Sequence, residues 1–231
     1  MRCIIILLLL SATSCKQATK KPTKSTVQTV APLANQPINY DSCKKAVMLT
    51  KQKHAGSWKN LAAEKKEKIF TETVTKTIIP NWIGTAWSFY GTSQKPQQGS
   101  IACGYFVTTI LQDGGVALAR IKLAQCASEQ MITTLVQPKL VKRFSNLPIS
   151  NFIASVKQTG YGLYIVGLDN HTGFIYNDGT KIHFIHSTYV GTRNVQWEDA
   201  EKSWVLASSK YKVLGKISED EKILERWIKF N

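Results

Sequence analysis

The spacing of apolar positions changes at Tyr161. Before it they recur every three or four residues, the period of a helix with one buried face. Asp41 and Ser42 offer a cap for a helix running to about residue 53. Over residues 57–77, Leu61, Ala62, Ile69, Phe70 and Val74 share one side, and Pro80 is placed to end that helix. Phe106, Val107, Ile110 and Leu111 form one face of another, stopped by Gly114-Gly115. Residues 120–135 read as one amphipathic helix turning Ile121, Leu123, Ala124, Ala127, Met131, Ile132 and Leu135 mostly inward, and 148–157 as a short one. From Tyr161 the runs shorten and favour strands: 162–167, 171–176 and 181–186. Asp169-Asn170 and Asn177-Asp178-Gly179 punctuate them as turns, which makes an antiparallel meander. A strand at 211–215 and a helix at 219–230 complete the pattern. Helices first and strands afterwards predict an α+β domain without internal repeats.

The first residues follow a different logic. Met1-Arg2 precedes an apolar run to Leu10 that is too short to span a bilayer. Ser11-Ala12-Thr13-Ser14 then leads to Cys15. This is the layout of an export leader over residues 1–14, and it resembles a bacterial lipoprotein cleavage box with Cys15 as the acylated residue. Residues 15–39 are rich in Lys, Thr, Pro and Gln and read as a flexible tether. That leaves 40–231 as a single domain of ordinary size. The expected location is the bacterial cell envelope, with the chain held to a membrane through Cys15.

The chain carries 30 Lys and Arg against 15 Asp and Glu, a formal charge of +15, of which the leader holds only Arg2. Such a balance suits an anionic partner. Export makes nucleic acid the wrong one and an acidic wall polymer or lipid surface the right one. The spacings of a zinc site and of a phosphate-binding glycine loop are absent, so no metal and no cofactor is expected. Cys43 and Cys126 could pair in an oxidising compartment or remain two separate thiols. Nothing in the sequence fixes an oligomeric state.

Chemistry gathers around Cys103. It stands where a Gly/Ser loop gives way to the helix of Phe106. At a helix start, free backbone N–H groups and the positive end of the dipole favour a thiolate. A cysteine nucleophile needs a base and a group to hold that base. The chain has four histidines. His54 falls among helical surface positions. His171 opens a strand directly after a turn, and His183 and His186 share the next strand. Those two are three residues apart and point to opposite faces, so at most one can face His171.

The flanking residues carry a resemblance. Gly84-Thr85-Ala86-Trp87, a glycine at Gly91, Cys103-Gly104-Tyr105-Phe106-Val107, His171-Thr172-Gly173-Phe174-Ile175-Tyr176 and Phe184-Ile185-His186-Ser187 stand in the order found in NlpC-type papain-like cell-wall cysteine peptidases of the unpermuted kind. The likeness covers about residues 82–187. It implies a papain-like domain whose N-terminal helices, including the nucleophile helix, pack on a C-terminal antiparallel sheet. It also implies amide hydrolysis in the peptide stems of peptidoglycan by a Cys-His-His triad: Cys103 as nucleophile, His171 as base and acid, His186 as orienting group, with His183 the alternative third member. Trp87 replaces the family's oxyanion-binding Tyr, and Cys-Gly-Tyr replaces Cys-Ser-Gly, so Trp87 and Gly104 are expected at the oxyanion and substrate rim. The 87–103 segment is long for the family and implies a remodelled rim. Trp82 and Trp87 are the tryptophans expected nearest the cleft. Two other readings stay open: a thiol amidase or acyltransferase acting on a different amide or ester, and an inactive wall-binding lipoprotein.

Overall fold

The computed structural model describes residues 39–229. The leader, Cys15 and most of the tether therefore lie outside the described residues. Among the described residues, no helix is long and apolar enough to cross a membrane.

Six strands form one antiparallel sheet in the order β1-β6-β2-β3-β4-β5. They are β1 (Val141–Ser145), β2 (Gly162–Leu168), β3 (Thr172–Asn177), β4 (Ile182–Ser187), β5 (Val195–Asp199) and β6 (Tyr211–Lys216). The meander expected from 162 to 186 is β2-β3-β4, and β5 extends it by one strand. β1 and β5 escape the sequence pattern because each is short, polar and half-buried. β2 is buried along its whole length, because helices cover both faces of the sheet.

One face carries Phe174, Ile185 and Val213 and packs against α4 (Cys103–Asp113) and α6 (Ser128–Leu135). The T-shaped pair Phe106–Phe174, centroids 6.0 Å apart, locks α4 onto β3. Burying two such rings stabilises by about 2–3 kcal/mol each. The other face carries Tyr164, Ile175 and Phe184 beneath α7 (Ile149–Thr159) and the short α8 (Trp204–Ser208). This mixed helix and antiparallel-sheet architecture is the α+β class, with the Cys103 helix seated on the sheet.

Several boundaries differ from the pattern. Asn39, not Asp41 or Ser42, caps α1 (Tyr40–Ala55): its side chain accepts from the Ser42 N–H at 3.3 Å. Pro80 does not end the second helix. The chain runs on from α2 (Ala63–Glu72) through a π-helical turn, Thr73–Ile78, into α3 (Ile79–Trp82). Pro80 thus sits in the first turn of α3, where its missing N–H costs little. The helix expected over 120–135 is two: α5 (Arg120–Ala124) and α6, broken at Gln125–Ala127. The break brings the Ala124 carbonyl against Gly104, so close that a Cβ at Gly104 would collide with it. Trp82 is core rather than cleft lining: its Nε1 donates to Tyr40 Oη, which donates to Asp113, both at 2.7 Å. Cys43 and Cys126 are free thiols with separate partners, Asn81 Oδ1 and the Leu123 carbonyl. A last helix, α9 (Glu221–Lys229), closes the fold.

Candidate active site

Four segments converge at one end of the sheet. Ala86 bridges to Ser100 and to Asn194, and Thr92 bridges to Ile101, which fixes the approach to α4. Gly91 sits so close to the Ser100–Ile101 backbone that no side chain fits there. The buried Ser187 hydroxyl, next to His186, donates to the Ile101 carbonyl at 2.7 Å. Arg120 anchors the long 87–103 segment by donating to the Thr92 and Ser93 carbonyls at 2.9 Å.

Cys103 begins α4, half-buried, with its sulfur against the backbone N–H of Thr172. Thr172 follows His171, so the sulfur and the imidazole are brought to the same strand end. Burial pushes the Cys103 thiol up, and the N–H groups of Thr172, Gly104 and Cys103 pull against it without overcoming it. This corrects the expectation of a thiolate at rest. Burial, then the neighbouring His186, pushes His171 down to about 3. At neutral pH the pair is therefore a thiol beside a neutral imidazole. Among the described residues no hydrogen bond joins the two. The His171 Nδ1 is buried without a partner, while its Nε2 lies 2.8 Å from His186 Nδ1.

Strand register explains why His186 and not His183 meets His171. His186 lies one step beyond the Phe174–Ile185 pair, opposite Gly173. A Cβ on Gly173 would stand 2.8 Å from His186 Cβ, so the glycine makes room for the imidazole. His183 pairs with Tyr176 on the opposite face, stacks on that ring, and bonds Asp178 at 3.0 Å in the adjoining turn. His54 lies on α1, outside this site.

Cys103, Gly104, Ala124, Asn170 and His171 line two clefts. The larger, about 620 Å³, is walled by Trp87, Phe89, Tyr90, Tyr105 and Tyr189, with Thr92 and Gln125. Apart from His171 no ionisable base and no acid lines it, and Tyr is the only other titratable type besides Cys103. Phe89 and Tyr90 project into solvent at its rim, 73% and 86% exposed. The Trp87 indole Nε1 is buried without a partner, and the Arg193 guanidinium lies 4.9 Å above its ring. The smaller cleft, about 260 Å³, is bounded by Cys126, Ser128, Met131 and Asp169. Among the described residues, no group of three or more His, Cys, Asp or Glu is placed to hold a metal ion.

Sequence reasoning missed Tyr189, whose ring lies 5.4 Å from His171. It also missed Ser187 as a clamp and Glu198, whose Oε1 lies 3.3 Å from His186 Nε2. That contact is oblique, so His186 Nε2 lacks a well-aligned hydrogen bond. A carboxylate at an alternating position of a polar strand was the available signal for Glu198. Compared with protein-family models, curated proteins and solved structures, the chain matches none.

Proposed function

We propose that this chain is a papain-like cysteine hydrolase of the bacterial cell envelope, anchored through a lipid on Cys15, that cleaves amide bonds in peptidoglycan stem peptides. The observation that carries the reading is the His171 Nε2–His186 Nδ1 contact, 2.8 Å, in an imidazole whose other nitrogen is unpartnered in the cleft of Cys103. A lone thiol in a core would have no such oriented base beside it.

In this reading His171 Nδ1 takes the Cys103 proton as the sulfur attacks the scissile carbonyl, forming the S–C bond. The oxyanion is held by backbone N–H groups at the start of α4 and by the Trp87 indole N–H, each donor contributing about 3–4 kcal/mol. His171 returns the proton to the leaving nitrogen as the C–N bond breaks. Water, deprotonated by His171, then splits the thioester to a carboxylate and regenerates the thiol. Starting from a neutral pair fits a base that acts during attack rather than a preformed ion pair. Without Arg2 of the leader the chain keeps a formal charge of +14, from 29 Lys and Arg against 15 Asp and Glu, which favours approach to a carboxylate-rich wall.

The aromatic lining of the larger cleft, without an acidic or basic side chain apart from His171, favours a second substrate class: an amide or ester with an apolar acyl group. Purified sacculi incubated with the protein separate the two. Release of stem-peptide fragments that Cys103→Ala abolishes supports the wall peptidase. No release, with Cys103-dependent turnover of a hydrophobic thioester or anilide, supports the second. Undiminished release by Cys103→Ala contradicts both.

A further inference from the structure

The strands β3, β4 and β5 are neighbours: His171 directly precedes β3, His186 stands near the adjoining end of β4, and Glu198 lies farther along β5, opposite Phe184. His186 pairs with Gln196 and Phe184 with Glu198, so Glu198 lies diagonal to His186 on the same face. The contacts run from His171 Nε2 to His186 Nδ1 at 2.8 Å, then from His186 Nε2 to Glu198 Oε1 at 3.3 Å. His171 and His186 are 3% and 1% exposed, so water does not compete for their ring nitrogens.

An imidazole pair of this kind has a tautomer problem. One ring must donate and the other accept, and two neutral rings can do so in either direction. Only one direction leaves His171 able to act. If His171 Nε2 donates, its Nδ1 keeps the lone pair in the Cys103 cleft. If it accepts, Nδ1 carries the hydrogen and cannot take a proton from sulfur.

We propose that Glu198 is a positioning residue that settles this choice through His186. A carboxylate only accepts. It therefore holds the hydrogen of His186 on Nε2, leaves His186 Nδ1 as the acceptor, and so obliges His171 to donate from Nε2. The order of groups is Cys103, His171, His186, Glu198, with His171 Nε2 and His186 Nδ1 hydrogen-bonded at 2.8 Å and His186 Nε2 meeting Glu198 Oε1 obliquely at 3.3 Å. Glu198 is kept available as that acceptor: burial pushes its carboxyl up, but His186 and the Ser203 hydroxyl outweigh this and hold it below the ordinary carboxylate range. Stacking of His186 on Phe184, centroids 3.9 Å apart, fixes the ring plane in which both contacts lie. The tautomer assignment stands on the geometry, and only its consequence in turnover rests on the hydrolase reading.

The test uses the full-length chain labelled with nitrogen-15 and long-range correlation of the imidazole nitrogens with their ring carbon-bound protons. In the parent protein, His171 and His186 are both expected with the hydrogen on Nε2. Glu198→Ala should give a mixture in which His171 Nδ1–H appears, and should lower kcat of Cys103-dependent cleavage about 10-fold or more with KM changed far less. Glu198→Gln retains an acceptor oxygen and should recover most of the parent tautomer. Unchanged His171 and His186 tautomers in folded Glu198→Ala, verified by an unaltered amide spectrum, overturn the inference. If the tautomers respond as described but the parent protein cleaves nothing, the inference holds and the hydrolase reading fails.

Discussion

The Ser187 hydroxyl donates to the Ile101 carbonyl across 2.7 Å, joining the residue after His186 to the residue two before Cys103. This bond ties the strand of His186 to the segment that leads into Cys103. Both ends are buried, so its loss leaves an acceptor without water. Ser187→Ala should cost about 1–3 kcal/mol of stability. It should also lower cleavage by more than that loss explains at a temperature where the variant is fully folded. Urea unfolding and steady-state kinetics on one preparation check this. Parent-like turnover would show that the clamp is structural only.

Gly173 faces His186 across the β3–β4 ladder with no space for a side chain. An added methyl would stand 2.8 Å from His186 Cβ and Phe184 Cε2 and 2.9 Å from the Ile185 carbonyl oxygen. The backbone oxygen cannot turn aside as a flexible side chain would. Gly173→Ala is expected to destabilise by about 1–3 kcal/mol and to separate His171 from His186. Thermal unfolding reads the first effect and Cys103-dependent cleavage the second.

The two histidines of β4 make a paired comparison. His186 touches His171, whereas His183 bonds Asp178 and stacks on Tyr176 on the other face. His186→Ala should reduce cleavage by two orders of magnitude or more, as expected when the group that orients a catalytic base is lost, which costs up to about 10⁴-fold. His183→Ala should leave kcat within about 3-fold and lower stability by about 1 kcal/mol through the lost turn contact. The reverse ranking would give His183 the third place.

Stability should fall with acid in a way that His171 dictates. Its folded pKa is lowered from 6.5 to about 3, chiefly by burial. Below 6.5 the unfolded chain binds a proton that the folded chain refuses, so folding is penalised progressively as pH drops and the penalty stops growing only near the folded value. Between pH 7 and pH 5 the cost is about 2 kcal/mol. His186, also held below its ordinary value by burial, adds in the same direction. Urea unfolding at both pH values should show a smaller acid loss for His171→Asn than for the parent. Equal losses would mean that His171 is not held neutral by the fold.

How much of this was legible before the structure depends on the element. The meander was readable because β2, β3 and β4 are apolar and bounded by turn residues, and the α4 stripe because Phe106, Val107, Ile110 and Leu111 repeat at helical spacing. Parity along β4 narrowed the partner of His171 to one of two histidines, but only the register to β3 selects His186. The π-helical turn at Thr73–Ile78 was hidden because it depends on a shift of backbone bonding that carries Pro80 into a new first turn. The break at Gln125–Ala127 was hidden because apolar periodicity continues through it. Glu198 was hidden for a different reason: it gains meaning only from the neighbouring strand, and β5 itself is too polar to announce a strand. The raised Cys103 thiol shows burial prevailing over the helix start, a balance that composition along the chain does not reveal.

Site-resolved alkylation distinguishes a Cys103 activated by His171 from an ordinary buried thiol. Cys43 and Cys126 are free, partly exposed thiols in the same chain and serve as internal standards. At neutral pH, with a small uncharged electrophile and peptide mapping by mass spectrometry, Cys103 should react at least about 10-fold faster than either, and His171→Ala should erase the difference. A Cys103 rate equal to the standards, or one that His171→Ala leaves intact, would show that His171 does not activate Cys103.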